Sequence, residues 1–226
     1  LVILIGICFL VYFLDGLIHS ILGPLAPELA RELGLSKAQL GPIFSANLIG
    51  QCIGLVTLPL LAGRIGHRRV VLFSLLGLGI AQSATALATG PVSLFWVRLL
   101  TGIFLGGCLP SCLAIVTGAA PRERRGFAIM VLFTGYGLGA TMAGLLASAF
   151  LQAGGWRAAM VAAGVACLVT AALAWRHLSV PASADLHLES GAGEPAPRAS
   201  AWQIVAPRYL LGTLMLWALF ISMLTI

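Results

Sequence analysis

Apolar residues along this chain come in runs of about 20, the length that crosses the hydrocarbon core of a bilayer as a helix. Such runs lie at about residues 1–22, 40–62, 70–89, 93–118, 126–150, 157–178 and 208–226. They predict an all-α polytopic membrane protein with six complete spans and the start of a seventh. The connections are short and polar, with one exception. Residues 179–207, "SVPASADLHLESGAGEPAPRASAWQIVAP", are dominated over their first two-thirds by Pro, Ser, Gly and acidic residues, the composition of a flexible linker. The expected organisation is a bundle over 1–178, a linker over 179–207 and a further helix over 208–226. Glycine is frequent, 27 residues, and clusters inside the spans. The stretches "GIFLGG" (102–107) and "GYGLGATMAG" (135–144) are predicted faces of close helix approach.

Composition strengthens the membrane reading. The chain is 60% hydrophobic and only 9% charged, whereas soluble domains carry about 25% charged residues. A net charge of +6 would suggest nucleic acid in a soluble protein, but no basic face with interleaved aromatics is present. The cations sit between apolar runs, where they report topology. One set of connections holds Arg64, Arg68, Arg69, Arg122, Arg124, Arg125, Arg176, Arg198 and Arg208; the other holds Arg31, Lys37 and Arg157. This bias predicts that the linker and the connections near 65 and 123 are cytoplasmic, and that the first span runs from inside to outside. The five cysteines all lie in apolar runs. Cys108 and Cys112 share a helix face but lack the further ligands a zinc site needs. They read as small packing residues, and no metal, cofactor or disulfide framework is expected. No catalytic triad, metal cluster or phosphate loop suggests an enzyme. The chain opens on Leu1 inside an apolar run without a leader pattern, so no signal peptide is expected, and both ends read as cut from a longer chain.

Ionisable residues inside spans need a reason, because lipid makes them costly. Asp15 and Arg98 are the two strong charges of this kind. Counted from the ends of the predicted spans, both fall roughly 8–11 Å deep from the same side at 1.5 Å per residue, so one shared cavity is expected. A carboxylate in such a cavity can take up a proton, and a nearby arginine can hold an anion. The alternative is a fixed ion pair that locks two helices. His19 follows Asp15 by four residues on the same face and is a candidate proton relay. Asn47 and Gln51 form a second pair at that spacing, with Tyr136 a further candidate for hydrogen bonding to a substrate. Gln82 reads as interhelical glue. Pro110 predicts a kink in the fourth span.

These residues resemble the N-terminal half of a major facilitator superfamily transporter. The family's signature loop after its second helix is similar to G-x-L-A-D-R-x-G-R-[RK]-x, and the matching stretch is "PLLAGRIGHRRV", residues 59–70. Ala62, Arg64, Gly66, Arg68 and Arg69 match. Pro59 replaces a glycine and Gly63 replaces the aspartate that, in the family, helps latch the cytoplasmic gate. "RLLTGIFLGG" (98–107) resembles the R-x-x-x-G motif implicated in proton coupling, with Arg98 and Gly102 in place. "GYGLGATMAG" resembles the antiporter motif, with Ala140 where that motif has proline, which argues for uptake. Residues 14–50 resemble the aromatic acid:proton symporters, whose first helix carries D-G-[YF]-D. Asp15 and Gly16 match, while Leu17 and Ile18 replace the aromatic and the second aspartate. "PRERRG" (121–126) and "GGWRAAM" (154–160) extend the likeness over about residues 10–178.

The resemblance implies twelve helices in two halves that rock about a midplane site, with a C-terminal half completing the pathway. It implies proton-coupled uptake of small organic anions, of the aromatic acid class, through a cell membrane. In that scheme Asp15, Arg98 and His19 couple protons. Arg98, Asn47, Gln51 and Tyr136 bind substrate, and Gly63, Arg64, Gly66, Arg68 and Arg69 form the gating loop. Two alternatives stand beside it: an exporter of the same fold, and a non-transporting relative, to which Gly63 and Ile18 point.

Overall fold

A computed structural model describes residues 1–178. The predicted linker over 179–207 and the predicted seventh helix over 208–226 lie outside the described residues. Six helices follow in order: α1 (Val2–Glu32), α2 (Lys37–Ile65), α3 (His67–Ala84), α4 (Pro91–Ala119), α5 (Arg125–Ala153) and α6 (Gly155–His177). All six are long and apolar enough to cross a membrane. Short 3₁₀ turns at Thr85–Leu87 and Arg122–Arg124 close α3 and open α5.

The first span is longer than its apolar run suggests. α1 continues through Pro24 and Pro27 to Glu32, which is ten residues past the predicted end. In a membrane bundle, neighbouring helices and local adjustments re-satisfy the backbone groups that proline frees. α4 likewise runs through Pro110 as one helix. Sharp reversals use residues the sequence supplies for them. Gly66 and Gly155, at φ +88° and +75°, turn the chain between α2 and α3 and between α5 and α6 in a conformation that disfavours a Cβ. Ser36 opens α2, its N–H donating to Gln39 Oε1 at 2.9 Å.

α2 packs most extensively on α4, and α5 on α1, while α3 and α6 pack against each other. Glycine makes the first two crossings close. A Cβ at Gly16 would collide with the Tyr136 backbone, and one at Gly139 with that of Phe13. A Cβ at Gly102 would collide with the Asn47 backbone, and one at Gly50 with that of Leu99. The two crossings are the same crossing repeated. Positions on α1 and α4 correspond at an offset of 86 (13 and 99, 16 and 102), and those on α2 and α5 at 89 (47 and 136, 50 and 139). The turn glycines 66 and 155 keep the offset of 89. So do two arginine bonds: Arg68 Nη2 donates to Trp175 O at 2.9 Å, and Arg157 Nε to Ala86 O at 3.1 Å. α1 and α4 lie three reversals apart and run in opposite directions, so α1–α3 and α4–α6 are inverted repeats. The packing makes plain a symmetry that the sequence carries only in scattered matching residues.

Candidate functional site

α4 carries Arg98 into the bundle two turns from its start. The side chain is 1% exposed. Its Nη2 donates to Met160 Sδ at 3.1 Å, and Gln82 Nε2 donates to the same sulfur at 3.1 Å. A thioether is a neutral, weak acceptor, so it leaves the guanidinium charge unbalanced. Arg98 Nε has no partner, and no carboxylate pairs with the guanidinium among the described residues. An uncompensated buried charge costs several kcal/mol. A site that receives an anion would repay that cost.

Arg98 lines a cavity of about 110 Å³ with His19, Leu22, Phe44, Asn47 and Leu48. Asn47 Oδ1 and His19 Nδ1 are buried without partners. The cavity therefore gathers a cation, an amide and an imidazole from α4, α2 and α1, walled by Leu and Phe. The α2–α4 crossing sets its width, because Gly102 lets the Asn47 backbone approach one turn beyond Arg98. A larger, mostly apolar hollow of about 240 Å³ between the starts of α2 and α4 presents no charged side chain.

Asp15 is also 1% exposed, and neither carboxylate oxygen has a partner. The expected shared cavity with Arg98 is not what the structure shows. Asp15 is absent from the cavity lining, and the two charges form no ion pair. The reason is the length of α1. With the helix ending at Glu32, Asp15 lies about 25 Å from that end at 1.5 Å per residue, and Arg98 about 10 Å from the start of α4. His19 stands in the cavity instead, one turn or about 6 Å along α1 from Asp15. Tyr136 does not line the cavity, but its ring lies 6.4 Å from the His19 ring, centroid to centroid. Gln51 is half-buried on the next turn of α2, its backbone against Gly106.

The predicted gating-loop residues cluster at the α2–α3 turn. Gly63, Arg64 and Arg69 are exposed, Gly66 makes the turn, and Arg68 ties the start of α3 to the end of α6. A Cβ at Gly63 would meet nothing within 4 Å. Sequence reasoning passed over Phe44 and Met160, which look like ordinary apolar positions. It also passed over a cluster at the opposite end. There Glu32 accepts from Trp156 Nε1 and pairs with Arg157, whose guanidinium lies 4.6 Å from the Trp156 ring centroid. "GGWR" was the available signal.

Residues 8–226 match the family model described as Major Facilitator Superfamily. The gallate transporter of Pseudomonas putida is 34% identical over 93% of this chain and 52% of its own length. The 3-(3-hydroxy-phenyl)propionate transporter of Escherichia coli (strain K12) is 35% identical over 96% of this chain and 52% of its own. The 4-hydroxybenzoate transporter of Pseudomonas putida is 34% identical over 73% of this chain and 37% of its own. This chain thus spans about half the length of the curated relatives it matches, or less. Among solved structures, a bacterial homologue of the human lysosomal transporter Spinster superposes with a TM-score of 0.72 at 21% identity, covering 79% of this chain and 43% of that one. The proton:xylose symporter XylE superposes at 0.66 and 18% identity, over 77% and 44%. These likenesses carry the fold.

Proposed function

This chain belongs to the major facilitator superfamily, and on that premise we propose that it is the N-terminal half of a proton-coupled importer of aromatic carboxylates. One observation carries the reading: a fully buried arginine, unpaired with any carboxylate among the described residues, faces a cavity beside an unpartnered amide and an imidazole. That is an anion site with room for apolar contact. The named substrates of the similar proteins are hydroxylated aromatic acids, which suits a carboxylate on Arg98 and a ring against Phe44.

Asp15 is the proton carrier in this scheme. Its buried oxygens have no partner among the described residues, which leaves them open to take a proton. His19, between Asp15 and the cavity, relays the proton. Asn47, Gln51 and Tyr136 contribute polar contacts along the path. In this reading the protein resides in the cell membrane with its arginine-rich end in the cytoplasm, which the cation bias supports, and a C-terminal half completes the pathway.

The test is uptake of radiolabelled 4-hydroxybenzoate, gallate and 3-(3-hydroxyphenyl)propionate by the full-length protein in proteoliposomes, under an inward proton gradient. Accumulation that a protonophore abolishes is the expected result, and Asp15→Asn should eliminate the gradient-driven component. Undiminished gradient-driven accumulation in Asp15→Asn would refute the role of Asp15. Accumulation of none of the three acids by folded protein would refute the function.

A further inference from the structure

The inverted repeat assigns the cavity a counterpart. Applying the offsets of 86 and 89, Arg98 corresponds to Tyr12, Phe44 to Phe133 and Asn47 to Tyr136. His19 corresponds to Leu105, and Leu22 to Cys108. The burial pattern of 43–51 on α2 recurs at 132–140 on α5, position by position, apart from Tyr136 being less buried than Asn47. Along α2 and α5 the mapping thus holds for side-chain burial as well as for backbone crossing, whereas along α1 and α4 burial differs at several mapped positions, His19 and Leu105 among them.

The counterpart has different chemistry. The Tyr12 and Phe133 rings meet edge to face, 5.7 Å between centroids at 81°. Tyr12 OH donates to Leu109 O at 3.1 Å, which fixes that ring. Phe133 is 57% exposed, more open than Phe44 at 37%. Tyr136 sits beside His19, so the two stations connect through that pair. The mapped positions present three aromatic rings where the cavity has a cation, an amide and the single ring of Phe44. Asp15 belongs to this end: it lies between Tyr12 and Gly16, whose Cα packs on the Tyr136 backbone.

We propose that Phe133 and Tyr136 form a second station for the aromatic ring of the substrate, on the arginine-rich side of Arg98, with the buried Tyr12 holding the Phe133 ring edge to face. The proposal rests on the transport reading above. Along the helix directions, Phe44 and Arg98 come first, then Asn47 and His19, then Tyr136, then Tyr12 and Phe133. A substrate moving down this order passes from a site that holds its carboxylate to one that holds only its ring. Among the described residues the second site has no positive charge to offer an anion, so it binds more weakly and favours release. Edge-on and offset contacts to aromatic rings supply the recognition.

Sided counterflow of radiolabelled 4-hydroxybenzoate by the full-length protein, in proteoliposomes of known orientation, tests this. Phe133→Ala should raise the half-saturation concentration at the arginine-rich face by roughly three- to tenfold, the worth of an aromatic contact. It should leave the opposite face within about twofold. Phe44→Ala should do the reverse. Phe133→Leu, which keeps apolar bulk without a ring, should follow Phe133→Ala and separates loss of the ring from loss of the fold. An equal shift at both faces, or none at either, with counterflow intact, overturns the second station and leaves the transport reading standing. Absence of counterflow by the unaltered protein overturns both.

Discussion

Replacing Gly102 with alanine adds one methyl group at the tightest point of the site. That methyl would lie 2.9 Å from both the Asn47 carbonyl carbon and the Gln51 backbone nitrogen, and closer still to the Asn47 carbonyl oxygen. Non-bonded heavy atoms prefer about 3.5–4.0 Å, and both elements are helix backbone with no flexible side chain to yield. α2 and α4 must therefore part by roughly 1 Å, which is overpacking at a cost of about 1–3 kcal/mol. Gly144 provides the control. A Cβ there meets nothing within 4 Å, so Gly144→Ala should gain up to about 1 kcal/mol of helix propensity. Thermal unfolding of the full-length protein can be followed with a fluorogenic maleimide, because Cys8, Cys108, Cys112 and Cys167 are buried. Cys52 is exposed, so the measurement is made in a Cys52→Ser background. The expected order of midpoints is Gly144→Ala at or above the parent, and Gly102→Ala clearly below. Since the same displacement moves Asn47 away from Arg98, Gly102→Ala should also weaken uptake in the protein that remains folded. A Gly102→Ala protein that unfolds with the parent and transports normally would refute the claim that this crossing sets the width of the cavity.

Two further outcomes follow from the geometry. Arg98→Met removes the buried cation and should abolish saturable uptake of aromatic acids. Arg98→Lys keeps the charge but not the planar fork, and should raise the half-saturation concentration at least about tenfold, the factor that corresponds to one lost charge-assisted hydrogen bond. Normal half-saturation in Arg98→Met would remove the anion site. At the other end, Glu32→Ala leaves buried Trp156 Nε1 without its acceptor and should cost about 1–3 kcal/mol. Glu32→Gln keeps an acceptor and loses mainly a half-exposed ion pair worth about 0–1 kcal/mol. The maleimide assay should rank the two in that order, and equal destabilisation would count against the tryptophan bond as the main contribution.

How far the chain alone discloses this protein follows from what each feature depends on. The six helices are local: a run of apolar residues long enough for the bilayer must satisfy its backbone internally, so composition and length suffice. The family is legible for a similar reason, since its motifs occupy turns and crossings that tolerate few residue types. Arg68, Gly66, Arg98 and Gly102 could be read one at a time. The end of α1 could not, because Pro24, Pro27 and the polar residues near Glu32 look like a loop until neighbouring helices stabilise them. That ten-residue difference decided the site. It moved Asp15 away from Arg98 and put His19 there instead. Pairing charges by depth fails when helix lengths are read from hydropathy, since depth depends on where a helix ends and hydropathy reports only where it is greasy.

The inverted repeat shows the same division. Tyr12 and Arg98, Asp15 and Thr101, and Asn47 and Tyr136 share no chemistry, so the matches that do survive, such as Gly16 with Gly102, Gly50 with Gly139 and Phe44 with Phe133, are too scattered to stand out by themselves. Only the glycine contacts between helices fix the offsets of 86 and 89, because a close crossing constrains the backbone and leaves the side chains beside it free to differ. Sequence by itself determined the spans, the membrane, the family and the residues able to carry charge. Tertiary structure alone decided which of those residues face one cavity, since that depends on helix length and crossing geometry, both set by contacts between residues far apart in the chain.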